Sequence, residues 1–286
     1  MVLLLQIFRS ILNCPSNKGQ RLKRIFLFFG WQFYKRIIGK PLVYHLDNSM
    51  RYLAYPHSTG ASYPFYFAIY DYPNIVFLRT HLSGRGSIID IGANIGLYTL
   101  SLVDCFQNAV LIEPDHRACR MLRENLVLNQ LDHRCSVIEA AAGDVDADVL
   151  LDKIGDASPI NKVSINGTIP VRQRSIDSLL KEQAQDRFLP IEFVKIDVEG
   201  YELMVLRGMR DLLTGKNPPK IIQFERLKCT PLAPIREFFA ELNWAVFAID
   251  HHGKPATSDE AIRSAHDLMA VHENGYDILN RNHGFC

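Results

Sequence analysis

Short apolar runs alternate with segments of helical periodicity over most of the chain after residue 86. The apolar runs predict strands at 87–91, 109–113, 135–140, 191–197, 219–225, 244–249 and 268–272. The periodic segments predict helices at 95–106, 115–129, 175–184, 199–213 and 234–242. Two shorter strands near 147–151 and 163–171 predict a hairpin between the third and fourth main strands. This alternation is typical of an α/β fold with a doubly wound, seven-stranded, mostly parallel sheet and helices on both faces.

The first 80 residues follow a different pattern. Residues 1–40 have helical periodicity that is interrupted at Asn13–Asn17, and residues 41–59 alternate and turn as short strands do. An aromatic-rich stretch follows at 63–72, whose side chains belong either to the core or to the wall of a neighbouring ligand site. We therefore predict an N-terminal basic amphipathic extension, or cap, over 1–80 and the main domain over 81–286.

Charge is distributed unevenly along the chain. The net charge is +1, so no overall basicity points to a nucleic acid partner. Residues 1–46 carry eight Lys and Arg side chains and no Asp or Glu, which leaves a net charge of −7 for the rest. Such a segment either lies on an anionic membrane surface or packs on the main domain as a helical cap, and both can hold at once. No apolar run reaches the roughly 18 residues of a transmembrane helix.

Length and composition set broad limits on the protein. A chain of 286 residues with 48% hydrophobic content supports one large domain with appendages or two small ones. The six cysteines form no C-x-x-C pair and no secretory signal precedes them, which favours free thiols and a cytoplasmic location. The ten histidines have no spacing typical of metal ligands, so they predict no metal site.

The segment Ile88–Gly96 has the pattern of a buried strand that ends in an acidic residue and a glycine-rich turn. Asp90, Gly92, Asn94 and Gly96 are its candidate ligand-binding residues, because glycines let a ligand approach the backbone at the carboxyl edge of a parallel sheet. Asn94 stands where a dinucleotide fingerprint has its central glycine. A carboxylate at this position repels a pyrophosphate but attracts the ammonium and sulfonium of S-adenosylmethionine. A tight turn without a ligand is the alternative.

Two later strand ends carry further candidates for the same ligand. Glu113 follows Asp90 by one strand-helix-strand unit, where a carboxylate accepts hydrogen bonds from both ribose hydroxyls. The small residues Ala142 and Gly143 leave room for a flat ring, and Asp144 can accept from an exocyclic amine of adenine. The alternative, of equal weight, is that Gly143 and Asp144 form a turn and contact no ligand.

A fourth strand ends in two carboxylates, Asp197 and Glu199, and the strand after it ends at Glu225. Acids that gather at one sheet edge bind cations, a sulfonium or hydroxyls, or they share a proton. For Glu199 and Glu202 a simpler interpretation is available, because acids in the first turn of a helix are favoured by its dipole.

Together these segments make the chain resemble the FkbM family of methyltransferases. The resemblance runs from about residue 87 to 225, and Lys195–Gly200 is its most specific part. The other matching motifs are Asp90–Gly96, Glu113-Pro114, Glu124-Asn125-Leu126, Ser175–Leu179 and Leu206-Arg207-Gly208.

The resemblance implies a class I methyltransferase fold, S-adenosylmethionine as methyl donor, and O-methylation. Acceptors in the family are hydroxyls of polyketides, sugars and other glycan-type molecules. The first 80 residues and the tail after residue 230 are not covered, and such regions decide the acceptor. Enzymes that methylate the amines of DNA bases carry an Asn/Asp-Pro-Pro-aromatic run where this chain has Asp197–Gly200, so base flipping is not expected.

Methyl transfer to an alcohol benefits from a nearby base, because alcohols have a high pKa. Asp197 and Glu199 are the first candidates, and His266, where the last predicted strand begins, is an alternative. A histidine of the core or of the surface is the simpler interpretation of His266. A divalent metal is a rival device, since Asp197 and Glu225 end adjacent strands and hard cations prefer oxygen ligands. No third ligand stands out in the sequence, and no metal is predicted.

Two other functions fit the same topology. An NAD-dependent sugar oxidoreductase would need a Tyr-x-x-x-Lys pair or a similar device, and none lies in the right place. A non-catalytic partner of a glycan-assembly complex would have no need to retain Asp90, Glu113, Asp197 and Glu199 together. We therefore predict a cytoplasmic O-methyltransferase that acts on a small-molecule or glycan hydroxyl, with possible peripheral contact of its basic N-terminus with the inner membrane face.

Overall fold

The computed structural model describes residues 2–58, 60–153, 161–163, 167–182, 190–227 and 230–280. Its strands are β1 Leu42–His45, β2 Arg51–Ala54, β3 Ser87–Ile91, β4 Asn108–Glu113, β5 Cys135–Glu139, β6 Ala141–Ala142, β7 Ala147–Lys153, β8 Asn161–Val163, β9 Ile169–Arg174, β10 Ile191–Ile196, β11 Ile221–Glu225, β12 Trp244–Ile249, β13 Pro255–Ala256 and β14 Asp267–His272.

Helices connect most of these strands. They are α1 Val2–Asn13, α2 Arg21–Ile37, α3 Tyr63–Tyr66, α4 Tyr72–His81, α5 Leu97–Ser101, α6 His116–Leu128, α7 Ile176–Glu182, α8 Glu202–Arg207, α9 Arg210–Thr214, α10 Leu232–Glu241, α11 Asp259–Ser264 and α12 Asp277–Asn280.

The main sheet has the order β13-β12-β14-β11-β10-β3-β4-β5. The neighbouring strands β11, β10, β3, β4 and β5 are parallel. In contrast, β14 runs antiparallel to both β11 and β12. The predicted class I methyltransferase fold is confirmed, but the sheet has eight strands rather than seven. The extra edge strand β13 has two residues and pairs with β12 across a tight turn, so it is too short to carry a periodic signal.

The predicted hairpin is part of a second, four-stranded sheet with the order β6-β9-β7-β8. β7 and β9 pair antiparallel as expected. The single strand predicted at 163–171 is in fact two strands, β8 and β9, and residues 164–166 between them lie outside the described residues.

Two predicted helices are shorter than their apolar patterns indicated. The helix predicted at 95–106 starts only at Leu97, because Gly96 before it has a φ of +85°, and its regular part ends at Ser101. The helix predicted at 199–213 starts three residues later and is divided into α8 and α9. Glu199 and Gly200 both have positive φ, and this left-handed backbone cannot continue a right-handed helix.

Two hydrophobic clusters lie on the two faces of the main sheet. One joins Phe28 and Trp31 of α2 with Phe193 and Phe247 of the sheet, so the N-terminal extension and the sheet share a core. The division at residue 80 stays a prediction.

The second cluster packs β10 and β11 against α8 and α10 on the other face. Among the described residues, none of the helices is both long and apolar enough to cross a membrane. Cys14, Cys105, Cys119 and Cys135 are free thiols, and Cys229 and Cys286 lie outside the described residues.

Candidate functional site

A cavity of about 490 Å³ opens at the carboxyl ends of the parallel strands β3, β4 and β10. This volume is within the range of roughly 300–1,000 Å³ that is typical of small-molecule sites. The topology explains its position. In a doubly wound sheet the connections from two neighbouring strands leave in opposite directions, and a crevice opens at that point. Residues from the N-terminal extension close one side of the cavity.

The turn after β3 forms part of the cavity floor through Gly92 and Asn94. Gly92 has a φ of +78°, and a Cβ added to it would lie 1.9 Å from the Asp197 carbonyl oxygen. A Cβ at Gly96, which is not among the lining residues, would lie 2.5 Å from Leu122 Cδ1. The backbone contact therefore requires a glycine at position 92, whereas at position 96 it is the φ of +85° that favours glycine.

Asp90 lies beneath the floor and does not line the cavity. It is buried, its Oδ2 accepts a hydrogen bond from Thr99 Oγ1 at 2.7 Å, and its Oδ1 is 3.9 Å from Lys195 Nζ. Burial raises the pKa of the Asp90 carboxyl, while Lys195 and Thr99 favour its ionised form. In this arrangement Asp90 positions Lys195 and α5.

Glu113 lines the cavity at the end of β4, as the ribose interpretation requires. Its Oε2 accepts from the Asn94 backbone N–H and its Oε1 from the Asp115 N–H, both at 2.9 Å. Each carboxylate oxygen keeps a lone pair for a further donor. Burial raises the pKa of Glu113 to about 7, although both N–H groups favour the charged form.

The adjoining part of the cavity has small side chains. Ala140, Ala141 and Ala142 line it, so the space expected for a flat ring is present. Gly143 donates its N–H to the Arg174 carbonyl at 3.0 Å, and neither Gly143 nor Asp144 belongs to the lining.

A buried lysine organises the acidic end of the cavity. Lys195 Nζ donates to Asp197 Oδ2 at 2.9 Å and lies 5.0 Å from the centre of the Tyr98 ring. Burial opposes ionisation of Asp197, but the Lys195 ammonium and a hydrogen bond from Glu225 lower its pKa. Burial and the neighbouring Asp197 raise the pKa of Glu225 to about 9. At neutral pH Glu225 therefore holds a proton that it shares with Asp197.

His266 joins this cluster because β14 runs antiparallel to β11. The pairing places Asp267 opposite Glu225, so the start of β14 reaches the edge where β11 ends. His266 Nε2 lies 3.2 Å from Glu225 Oε1, and Nδ1 lies 3.4 Å from Asp267 Oδ2. The hydrogen bond to Asp267 raises the pKa of His266.

Glu199 and Glu202 have different environments. Glu199 lines the cavity, and its half-buried position raises its pKa. Glu202 is buried, and its Oε1 accepts from the Gly200 N–H at 2.9 Å at the start of α8. Glu202 thus stabilises the helix start.

Asp197, Glu199 and Glu225 are the three acids that the described part of the chain brings together for a possible cation. One carboxylate oxygen from each lies within 4.8 Å of the others. Glu199 is the candidate third ligand that the spacing of the sequence did not reveal. The Lys195 ammonium and the proton shared by Glu225 already neutralise part of this charge.

Several residues of the site were missed in the sequence. Lys195 is one of them, although a lysine within an otherwise apolar strand is itself a signal of a buried partner. Asp71 carries no distinct signal in the sequence, yet it lines the cavity and burial raises its pKa to about 7. Gln223 Nε2 connects it to Asp267, at 3.5 and 3.4 Å.

The aromatic stretch supplies a wall of the cavity. Tyr63, Phe67 and Tyr70 line it, and Tyr63 and Tyr70 contact each other with ring centres 5.5 Å apart. Phe65 and Tyr66 between them belong to the core. Both interpretations of this stretch therefore hold, each for different residues.

Comparison with curated proteins gives no significant match. Among solved structures, the chain is similar to methyltransferase FkbM from Methylobacillus flagellatus KT, with 14% identity and a TM-score of 0.43 over 95% of this chain and 59% of that one. It is also similar to M. capricolum TrmK in complex with S-adenosyl-homocysteine, with 11% identity and a TM-score of 0.40 over 69% and 65% of the two chains. The chain thus spans 59% of the length of the Methylobacillus protein.

The sequence also matches a family directly. Residues 90–243, more than half of the chain, match the methyltransferase FkbM domain. This range contains the turn after β3, Glu113 and the strand that ends in Asp197. The protein belongs to the FkbM family of S-adenosylmethionine-dependent methyltransferases.

Proposed function

We propose that the protein transfers a methyl group to a hydroxyl of a sugar, a glycan or another secondary metabolite. One observation carries the proposal: the carboxylates of Asp197, Glu199 and Glu225 gather with His266 at one end of the cavity, and Glu113 lies at another. Carboxylates and a histidine accept hydrogen bonds from hydroxyl groups, and they can take up the proton that methylation releases.

The residues of the floor fit S-adenosylmethionine, which supplies a methyl group on a positively charged sulfur. Glu113 retains lone pairs for the ribose hydroxyls, and Ala140–Ala142 leave room for the adenine. The ionised Asp197 at the adjacent strand end favours a positive charge nearby. The family to which the chain belongs consists of methyltransferases, so the oxidoreductase alternative is set aside.

The three predicted bases differ in how well their environments suit proton uptake. Asp197 is the poorest, because its contact with Lys195 keeps its pKa low. We assign the role to His266, whose Nδ1 is oriented by Asp267 and whose Nε2 faces Glu225. Glu225 already holds a proton at neutral pH, so it does not take up the proton that methylation releases.

The acceptor class is supported by the shape of the cavity. Tyr63, Phe67 and Tyr70 line the cavity with aromatic rings, against which a sugar can pack, and the same cavity is lined by the hydrogen-bond acceptors at the strand ends. Incubation with radiolabelled S-adenosylmethionine and sugars, lipid-linked glycans or polyketides tests this class. Label in a methyl ether is the expected product. Label exclusively in an N-methyl group would contradict the proposal.

The base is tested by His266→Asn, for which we expect kcat to fall by about 10²- to 10³-fold with little change in KM. His116→Asn is the matched control, because His116 also contacts a carboxylate, that of Glu139, but lies outside the cavity lining. Equal kcat values for the two variants would remove His266 from the mechanism.

Metal-assisted methyl transfer is a second candidate, favoured by the close approach of Asp197, Glu199 and Glu225. A cation there would orient the acceptor hydroxyl and lower its pKa. Exhaustive chelation followed by assay separates the two mechanisms. Unchanged turnover excludes the metal, whereas a loss that Mg²⁺ or Mn²⁺ restores would establish it.

A further inference from the structure

Helix α2 carries an apolar stripe on its solvent side. Five large side chains spaced by four, three, four and four residues are exposed: Leu22 by 73%, Phe26 by 75%, Phe29 by 55%, Phe33 by 65% and Ile37 by 68%. At about 100° per residue they lie along one face of the helix. Scattered exposed apolar residues are normal, but a continuous row of this kind marks an interaction surface.

The opposite face of α2 is fixed to the protein. Phe28 and Trp31 are buried, Trp31 stacks on Phe65 with ring centres 4.2 Å apart, and Trp31 Nε1 donates to Ser62 Oγ at 3.0 Å. The stripe therefore cannot turn inward without breaking this core. The helix acts as a cap with one face, and the part of the chain that the structure describes leaves the other face exposed.

The charges around the stripe are positive. Lys23 lies beside it on one side and Arg21 and Arg36 on the other, and all three are exposed. No acidic residue occurs in the first 46 positions. An apolar row between cations complements a surface with a hydrocarbon interior and anionic headgroups. A second copy of the same face would bring like charges together around a two-fold axis.

We propose that the exposed face of α2 binds the surface of an anionic lipid bilayer. The helix lies in the interface with its five apolar side chains among the acyl chains and its cations at the headgroups. With 17 residues it is shorter than the roughly 20 needed to span the hydrocarbon core. The same helix packs on α3, whose Tyr63 lines the cavity, so the bound lipid lies one helix away from the cavity wall.

Flotation of the full chain with vesicles tests the proposal. We expect binding to vesicles of phosphatidylcholine with phosphatidylglycerol, weakened by salt, and much weaker binding to phosphatidylcholine alone. Phe26→Ser with Phe33→Ser lowers the partition coefficient by about tenfold for each phenylalanine. Lys23→Gln with Arg36→Gln lowers it about fivefold per charge, on anionic vesicles only.

Val127→Ser is the matched control, because Val127 is 62% exposed on α6 and belongs to no such row. All of these side chains face solvent, and circular dichroism verifies that each variant is folded. The proposal is overturned by absence of binding to anionic vesicles, or by unchanged binding after both phenylalanine replacements. A third outcome also overturns it: light scattering shows a dimer, the dimer binds no vesicles, and the two phenylalanine replacements dissociate it.

Discussion

Gly92 is a position at which the turn after β3 accepts only a glycine. Its φ of +78° and the Asp197 carbonyl 1.9 Å from any Cβ exclude a side chain there. We expect Gly92→Ala to lower the free energy of unfolding by about 2–4 kcal/mol, through strain and through displacement of the end of β10.

Gly30→Ala is the control for Gly92→Ala, since Gly30 lies within α2 and a Cβ there meets nothing within 4 Å. That change is expected to stabilise by about 0.5–1 kcal/mol, because alanine is the better helix former. Urea unfolding of both variants makes the comparison. Similar changes in the free energy of unfolding for Gly92→Ala and Gly30→Ala would show that the close contact at Gly92 does not constrain the turn.

Glu113 gives donor binding a dependence on pH. Burial raises its pKa to about 7, so the carboxyl is partly protonated at neutral pH, and hydroxyl donors prefer its ionised form. We expect the affinity for S-adenosylmethionine, measured by calorimetry, to fall as pH decreases through about 7, by at most about tenfold per pH unit. In Glu113→Gln the affinity should be weaker at alkaline pH and nearly constant across this range. A native affinity that rises toward acid pH would contradict the assignment.

At the scale of elements, α6 is tied to two neighbours by Asn125. Its Nδ2 donates to the Ile95 carbonyl at 2.9 Å, and its Oδ1 accepts from the Leu53 N–H at 2.7 Å. The helix thus connects the turn after β3 to β2 of the extension. The motif Glu124-Asn125-Leu126 contributed to the family resemblance, and the structure supplies its physical reason.

Asn125→Leu is therefore expected to lower the free energy of unfolding by about 2–4 kcal/mol, because the buried Ile95 carbonyl and the partly buried Leu53 N–H lose their partner. Donor affinity should fall as well, since Ile95 lines the cavity. Val127→Ser on the same helix should change stability by less than about 0.5 kcal/mol. Loss of stability in both variants alike would point to α6 itself and would exclude a specific role of Asn125.

The main strands were predictable to within two residues, because parallel strands buried on both faces read as continuous apolar runs. The helices near the site were less predictable. Their apolar patterns begin before Gly96 or at Glu199, but the helices start only after Gly96 and after Gly200, because residues with positive φ cannot belong to a right-handed helix. Backbone geometry at these positions depends on contacts between distant segments, such as Gly92 with Asp197, which periodicity does not report.

The whole molecule holds several carboxyls whose pKa is raised by burial: Asp71 and Glu113 to about 7, and Glu225 to about 9. The ordinary pKa of a carboxyl is about 4. Above that pH these groups keep their protons in the folded state but lose them in the unfolded state. Their contribution to stability is therefore present at acid pH and is lost as pH rises through 7 to 9. His266, whose pKa is also raised, acts in the same direction.

We expect the melting temperature without ligand to be lower at about pH 9 than at about pH 6. Glu225→Gln should reduce this decrease, because the amide cannot ionise. Glu241→Gln, at the exposed end of α10, is the control and should leave the decrease unchanged. Thermal unfolding at several pH values gives the result, and a melting temperature that rises steadily toward pH 9 would contradict it.

The sequence by itself determined the order of strands and helices, the acidic residues at the strand ends and the family, because burial along an element and the spacing of motifs are local properties. Only the tertiary structure decided which acids face the cavity. It buried Asp90 beneath the floor, brought Glu199 to Asp197 and Glu225, and placed Lys195 among them. It also decided which face of α2 is covered and which is open to solvent. These outcomes depend on segments that are far apart in the chain, so a pattern read along one element cannot contain them.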